Sequence, residues 1–398
     1  MEFINKSLKK ILDLELYPDI KVIESSPEPE VLINGKKVLL FCSSNYLGLA
    51  TNHKLIDVAI NSFKKYGTGS GGSRLLSGTY DVHIQLDKTV AKLKKSEDAM
   101  TFNSGFQTNF SVIQSIADPI SFDIMSTIFK PKTIIFSDEL NHASIIDGCR
   151  HSRAKVIVYK HNDTDDLENK LRRHKRARKM IITDGIFSMD GDIAKLDILV
   201  NLSKEYNALL YVDDAHATGV LGENGGGTAE HFHVQDKVDI QMGTFSKAVG
   251  TLGGYVAGSK RLIQYLRVAS RSYVFSTAMP PAIAEIIRES LNIIHGNNSL
   301  RVNLFKNADY LRTGLRRIGY DTLTSETQII PILIGNERKA IKCSEYLFKE
   351  NILGPNVRWP AVAKNSSRVR FTVMSTHSKE QIDHLLNVCE KMKRDIVN

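Results

Sequence analysis

Cysteine is scarce and scattered. Cys42, Cys149, Cys343 and Cys389 are the only four, too far apart to form a CxxC pair or a dense ladder. That excludes a disulfide-stapled scaffold and points to a reducing compartment. Long apolar runs are missing as well. The first twenty residues, MEFINKSLKKILDLELYPDI, read as an amphipathic helix of mixed charge, without the uninterrupted apolar stretch of a signal peptide or a membrane span. The expectation is a cytoplasmic protein with no membrane span. Internal repeats, low-complexity tracts and long flexible linkers are absent too, so the domains should pack closely. Acidic residues fall short of basic ones, leaving a formal net charge of +9. The densest basic run, RRHKRARK at 172–179, has no interleaved aromatic residue and no accompanying nucleic-acid motif. It reads as a solvated helix end rather than a nucleic-acid site, and a basic surface equally suits a phosphate-rich small molecule.

With 398 residues, 42% of them hydrophobic, the chain can bury a large core and divide into two domains. From about residue 56 to 242, helical periodicity alternates with short β-branched runs: TIIF, KVIVY, MIIT, LLYV and VDIQM. Such alternation predicts an α/β protein with a mostly parallel sheet wrapped by helices, its strands buried on both faces. After about residue 282 come two long helical patterns, then IIPILI, another helix, RVRFTV and a last helix. This predicts a smaller C-terminal α+β domain. The expected divisions are an N-terminal segment at 1–50, a large domain at 51–285 and a small domain at 286–398.

Two glycine-rich stretches invite chemistry. GTGSGG at 67–72 has the G-x-G-x-x-G spacing of a dinucleotide-binding turn, but the preceding KLIDVAINSFKKY is helical rather than a strand, so the required context fails. GTFSKAVGTLGG at 243–254 sets Lys247 among small residues after an apolar strand. Such a lysine has few ion-pair partners and, if buried, loses its proton readily, which suits it to bind an aldehyde as a Schiff base. A solvated loop lysine is the commoner origin of such a stretch.

An aldehyde cofactor such as pyridoxal phosphate needs four things: an amine, an acid for its ring nitrogen, donors for its phosphate and something flat against its ring. LLYVDDAH ends a strand with Asp213 and Asp214, followed by His216. A carboxylate at a strand's carboxyl end can keep the pyridine nitrogen protonated, and strand alternation lets only one of the two face the ring. A helix-capping turn or a metal site would also account for DDAH, although no further His or Asp cluster has ligand spacing. FNSGFQTN places Ser104 and Gly105 before a helical pattern, where free N–H groups bind anions or where an ordinary N-cap sits. Thr244 and Ser246 add hydroxyls beside Lys247.

Taken in order, SSNYLGL, GTGSGGSRLLSGT, SGFQTN, SDELNHASIIDG, DGIFSMDGDIA, VDDAHATGVLGENGGG, GTFSKAVGTLGG and STAMPPA closely resemble the successive blocks of the α-oxoamine synthase family of fold-type I pyridoxal-phosphate enzymes, over nearly the whole chain. The resemblance implies pyridoxal 5'-phosphate as cofactor, with Lys247 as its attachment point, His142 stacked on the ring, Asp213 on the ring nitrogen, and His216 and Ser188 near the phenolic oxygen. It implies that Gly105, Phe106 and Thr244 meet the cofactor, and that Thr277 reaches its phosphate from the partner subunit of a homodimer. Arg370 would grip the substrate carboxylate with Asn45 as a second contact. Arg370 is chosen over Arg368 by block spacing, on the expectation that only one of the two points inward. The implied reaction joins a small amino acid, L-alanine favoured, to an acyl-CoA with loss of carbon dioxide, catalysed by Lys247, His142, Asp213 and His216.

Three departures bear on acyl specificity: the longer link PISFDIMSTIFKP at 119–131, Ala361 in RWPAVAKNSS where a threonine is common, and Lys21 where many relatives have arginine.

Overall fold

The computed structural model describes residues 1–14, 16–17, 19–120 and 133–397. Most of the longer link at 119–131 therefore lies outside the described residues. The chain begins with the amphipathic helix Glu2–Asp13, none of whose side chains is buried. It then forms a hairpin of β1 (Glu30–Ile33) and β2 (Lys36–Leu40). Asn34 and Gly35 close it with φ of 51° and 69°, the left-handed pair that a two-residue hairpin turn demands and that Asn-Gly supplies most readily.

The large sheet contains β3 (Asp98–Phe102), β4 (Thr133–Asp138), β5 (Lys155–Tyr159), β6 (Arg178–Asp184), β7 (Ala208–Asp213), β8 (Ile240–Thr244) and β9 (Gly254–Gly258), in the order β3-β9-β8-β7-β6-β4-β5. All the apolar runs read from the sequence between 133 and 244 are strands of this sheet. β3 and the glycine-bearing β9 are additions, and β9 alone runs antiparallel to its neighbours. Alternation sorts the side chains to two layers. Ile135, Met180, Ile182, Tyr211 and Met242 pack with Val112 and Ile113 of helix Gly105–Ala117. Ile134, Phe136, Ile181, Leu210 and Val212 pack on the other face against Leu167 and Leu171 of helix Thr164–Arg172 and Leu199 of helix Leu196–Glu205. Each such side chain stabilises the fold by about 1.5–3 kcal/mol.

Beyond helix Pro281–Gly296, β10 (Ile329–Gly335) and β13 (Ser367–Thr372) pair antiparallel, β12 (Asn356–Val357) flanks β13, and β11 (Ile352–Leu353) joins β2 in parallel. The N-terminal hairpin is thus tied to the C-terminal part of the chain. One apolar core runs unbroken from Leu86, Val90 and Phe245 through Leu291 and Leu304 to Val369 and Leu385, which is the close packing anticipated from the lack of linkers. Among the described residues no helix is long and apolar enough to cross a membrane.

Because β4, β6, β7 and β8 are parallel, their carboxyl ends bring Asp138, Asp184, Asp213 and Thr244 to one edge. Gly254, the first residue of β9, pairs with both Thr244 and Phe102 at that edge. GTGSGG follows helix His53–Tyr66, so it lacks the strand that a dinucleotide turn requires.

Candidate active site

A cavity of about 260 Å³ opens at this edge, and Gly105, Phe106, His142, Ser188, Asp213, His216, Thr244 and Lys247 all line it. Residues 104 to 247 thus converge through five separate strand ends. Lys247 reaches the cavity from the turn after β8 and makes no hydrogen bond or ion pair among the described residues. Burial lowers its pKa, against the raising charges of Asp213 and Asp184, while Arg370 lowers it further. An amine in this setting is readily available as a free base.

Asp213 and Asp214 diverge as alternation requires. Asp213, buried, accepts from Asn109 Nδ2 at 2.6 Å and from Ala215 N at 2.9 Å. Asp214 turns to the opposite side, where Lys94 Nζ approaches Oδ2 to 2.6 Å and Thr228 N donates to both carboxylate oxygens. Only Asp213 lines the cavity.

His142 caps helix Ala143–His151: its Nδ1 accepts from Ser144 N at 3.2 Å. Its own N–H donates to Asp184 Oδ2 at 2.9 Å. The capping role that a histidine before a helix usually plays is therefore present alongside its place in the cavity. Burial lowers the His142 pKa, opposed by Asp213. His216 is buried, and burial together with the charges of Lys247 and Arg370 pushes its pKa well below the usual imidazole value. It is a neutral ring at pH 7.

At the start of helix Gly105–Ala117, Ser104 Oγ accepts from Gln107 N at 3.1 Å, an N-cap. The N–H groups of Gly105 and Phe106 find no acceptor among the described residues, as expected of a helix's first turn. Glycine is required here by close approach: a Cβ on Gly254 would lie 2.5 Å from Thr108 Oγ1 and 2.9 Å from Gly105 Cα, and one on Gly105 would press on Thr244 at 3.1 Å. Thr244 Oγ1 donates to Gly253 O at 2.7 Å and meets Ser246 Oγ at 2.9 Å. Free N–H groups and a hydroxyl pair for a phosphate, a buried carboxylate for a pyridinium and an unpaired amine for an aldehyde make a donor set that fits pyridoxal phosphate.

Three expected residues lie outside this cavity. Asn45 spends its amide on the chain, donating to Pro27 O at 3.2 Å and accepting from Ala50 N at 3.1 Å. Thr277 sits in an exposed turn bridged to Ser73, its carbonyl accepting from Asn103 Nδ2. Arg370 stands beside the cavity, donating through Nε to Ser188 O, and its charge is felt at Lys247 and His216. Arg368 and Arg370 both point the same way, correcting the expectation that only one does. Two residues apart on β13 they share a face, and both reach the turn after β6: Arg368 pairs with Asp190, while Arg370 holds Ser188. What separates them is that Arg368 is consumed by an ion pair with Asp190, whereas Arg370 has no carboxylate partner among the described residues.

Asp184 was missed, although it sits in the DGIFSMDGDIA block. It is buried at the cavity, opposite Asp213 in the β6–β7 register, and burial with the neighbouring Asp213 charge holds its carboxyl well above the usual range. Asn109, inside SGFQTN, was missed too, and only its contact with Asp213 marks it. Tyr46, within SSNYLGL, meets His216 Nδ1 at 2.7 Å.

Fold-type I pyridoxal-phosphate enzymes are the class that this sheet and this pocket define. A family model for aminotransferase class I and II matches residues 36–388. The chain is similar to an 8-amino-7-oxononanoate synthase of Thermoanaerobacter pseudethanolicus, 44% identical over all of this chain and 98% of that protein, and to one of Lysinibacillus sphaericus, 45% identical over 98% of each. Among solved structures it resembles a serine palmitoyltransferase of S. paucimobilis with bound pyridoxal phosphate, TM-score 0.91 and 28% identity, covering 99% of this chain and 97% of that one. The chain belongs to the aminotransferase class I and II family and, within it, to the α-oxoamine synthase group. It is a pyridoxal-phosphate-dependent acyltransferase.

Proposed function

We propose that the enzyme condenses L-alanine with an acyl-CoA, releasing coenzyme A and carbon dioxide and leaving an α-oxoamine, as an 8-amino-7-oxononanoate synthase does in biotin synthesis. The observation that carries this reading is the full-length likeness to synthases of that name, 44% over the whole chain, supported by a cavity lined by Lys247, Asp213, His142 and His216.

When bound, the cofactor supplies an electron sink for the substrate's α-carbon. Lys247 Nζ, kept poor in protons by burial, takes the α-proton. Asp213 holds the proton on the ring nitrogen, and Asn109 and Ala215 N–H fix its carboxylate for that task. His142 would lie against the ring face, and His216 and Ser188 would face the phenolic oxygen. Gly105, Phe106 and Thr244 would hold the phosphate. Arg370 clamps the amino-acid carboxylate by a charge-assisted pair, and with its amide committed elsewhere Asn45 shapes the turn beside it. The α-carbon attacks the thioester carbonyl, the thiolate departs and takes a proton from solvent, the substrate carboxylate leaves as carbon dioxide, and Lys247 returns its proton to the α-carbon.

A homodimer with shared sites follows from placing Thr277 on the partner's phosphate. Supporting this, Thr277 is exposed and sits near Phe275 and Leu76, which are 73% and 86% exposed and need covering. The scattered reduced cysteines suit a cytoplasmic location.

The test supplies alanine, glycine or serine with a ladder of acyl-CoAs. Free thiol and carbon dioxide should appear together with no keto acid added, fastest with alanine and a medium-length or dicarboxylic acyl chain. Turnover only with a keto-acid acceptor would overturn the reading in favour of transamination. Lys247→Ala should lose all borohydride-fixable cofactor, and cofactor still fixed covalently would place the anchor on another lysine.

A further inference from the structure

Tyr46 is wholly buried and lies 170 residues before His216 in sequence, yet its Oη is 2.7 Å from His216 Nδ1. Burial raises the Tyr46 pKa, opposed by the charge of Arg370 and by hydrogen bonds from Ser44, Arg370 and Gln328. A guanidinium has only donors. The Arg370 guanidinium cannot take the phenol's proton, whereas His216 Nδ1, 2.7 Å from Tyr46 Oη, can accept it. A neutral imidazole carries one N–H, so when Nδ1 accepts, the proton sits on Nε2. Gln328 Nε2 also donates to the His216 carbonyl at 3.1 Å, pinning the backbone of the same residue.

We propose that Tyr46 is a positioning residue that locks His216 in its Nε2–H tautomer, presenting a hydrogen-bond donor to the cavity and linking that donor to the carboxylate-gripping Arg370. The assignment comes from the hydrogen-bond network, and it rests on the reading above that His216 faces the cofactor's phenolic oxygen. There an Nε2–H is useful and an Nε2 lone pair would repel. The charged or titratable groups around the ring are Lys247, Arg370 and His142, with Asp213 on the adjoining strand end. None of them can supply the proton that Tyr46 directs, because each reaches His216 only through its charge.

The experiment compares the wild-type holoenzyme with Tyr46→Phe, which keeps the ring and its packing. Nitrogen-15 NMR of labelled histidine should show His216 as Nε2–H in the wild type and as the other tautomer, or as a mixture, in the variant. The pH midpoint of the bound cofactor's visible absorbance should rise by about one unit, the size of one lost hydrogen bond to a charged oxygen. kcat should fall with little change in the KM for the amino acid. The proposal is overturned by an unchanged tautomer, or by a tautomer that changes while the absorbance midpoint stays put. A cofactor that binds normally in a wild type whose His216 is Nδ1–H would overturn it as well. The tautomer is measured whatever the substrate is, so a wrong choice of amino acid or acyl chain would leave this outcome standing.

Discussion

Asp213 and Asp214 are adjacent in sequence and should fail in opposite ways. Lys94 and Asp214 are both fully buried, 2.6 Å apart, and Lys94 Nζ also donates to Gly226 O at 2.6 Å. Asp214→Asn keeps the acceptor for Thr228 N but removes the carboxylate charge that balances Lys94. An ammonium left unpaired in the interior costs about 3–5 kcal/mol. For 398 residues unfolding together, that lowers Tm by about 4–6 °C. Asp213→Asn breaks no ion pair of the chain itself, because its hydrogen-bond partners are the Asn109 amide and the Ala215 N–H. Its Tm should move by under about 2 °C while turnover collapses by about 10²-fold or more, since an amide cannot hold a pyridinium proton. Calorimetry and steady-state rates on both variants make the comparison. The double variant Lys94→Met/Asp214→Asn should recover most of the lost Tm, because the stranded charge rather than the lost contact dominates. If Asp214→Asn were as stable as wild type and as inactive as Asp213→Asn, the assignment of the two carboxylates would be wrong.

His161 joins Asp138 through Nδ1 at 3.0 Å and Asp192 through Nε2 at 2.9 Å, tying together the two turns that carry His142 and Ser188. Burial would lower its pKa, but hydrogen bonds to Asp138 and Asp192 raise it to about 10. A raised folded-state value means that the stabilisation is complete below the unfolded pKa of about 6.5 and disappears as pH rises through about 10. The Tm gap between wild type and His161→Gln should therefore be widest near pH 6 and close by about pH 10, and a gap that widened with pH would refute the charged clamp. Arg370→Ala should raise the KM for the amino acid by about 10- to 100-fold with little loss of Tm. Arg368→Ala should lower Tm, because it strands the half-buried Asp190, and thermal melts beside substrate titrations separate the two.

The inner strands β4, β6, β7 and β8 were legible because burial on both faces leaves a continuous apolar run, whereas KVIVY, the edge strand β5 with Val156 and Val158 exposed, was legible from its β-branching alone. β9 was not, because its glycines interrupt the β-branched pattern, and the need for Gly254 shows only where it lies beneath Gly105, where any Cβ would collide. The same pressure explains why the site showed itself as ordered blocks and not as single residues. Several groups in it are held by residues distant in the chain: Asp213 by Asn109 on the helix after β3, His142 by Asp184 at the end of β6, His216 by Tyr46. Spacing along the chain carries no trace of such pairs, so the supporting residues stayed hidden while the blocks containing them stood out. The two arginines of β13 were misjudged for a different reason. Period two places both on one face, and the distinction between them comes from Asp190, which neutralises Arg368 and leaves Arg370 as the charge that Lys247 and His216 both feel. A bound carboxylate at Arg370 would quench that charge, easing the suppression of the Lys247 pKa at the moment when its Nζ must accept a proton. Were the substrate carboxylate bound there, recognition and base strength would be coupled through a single guanidinium.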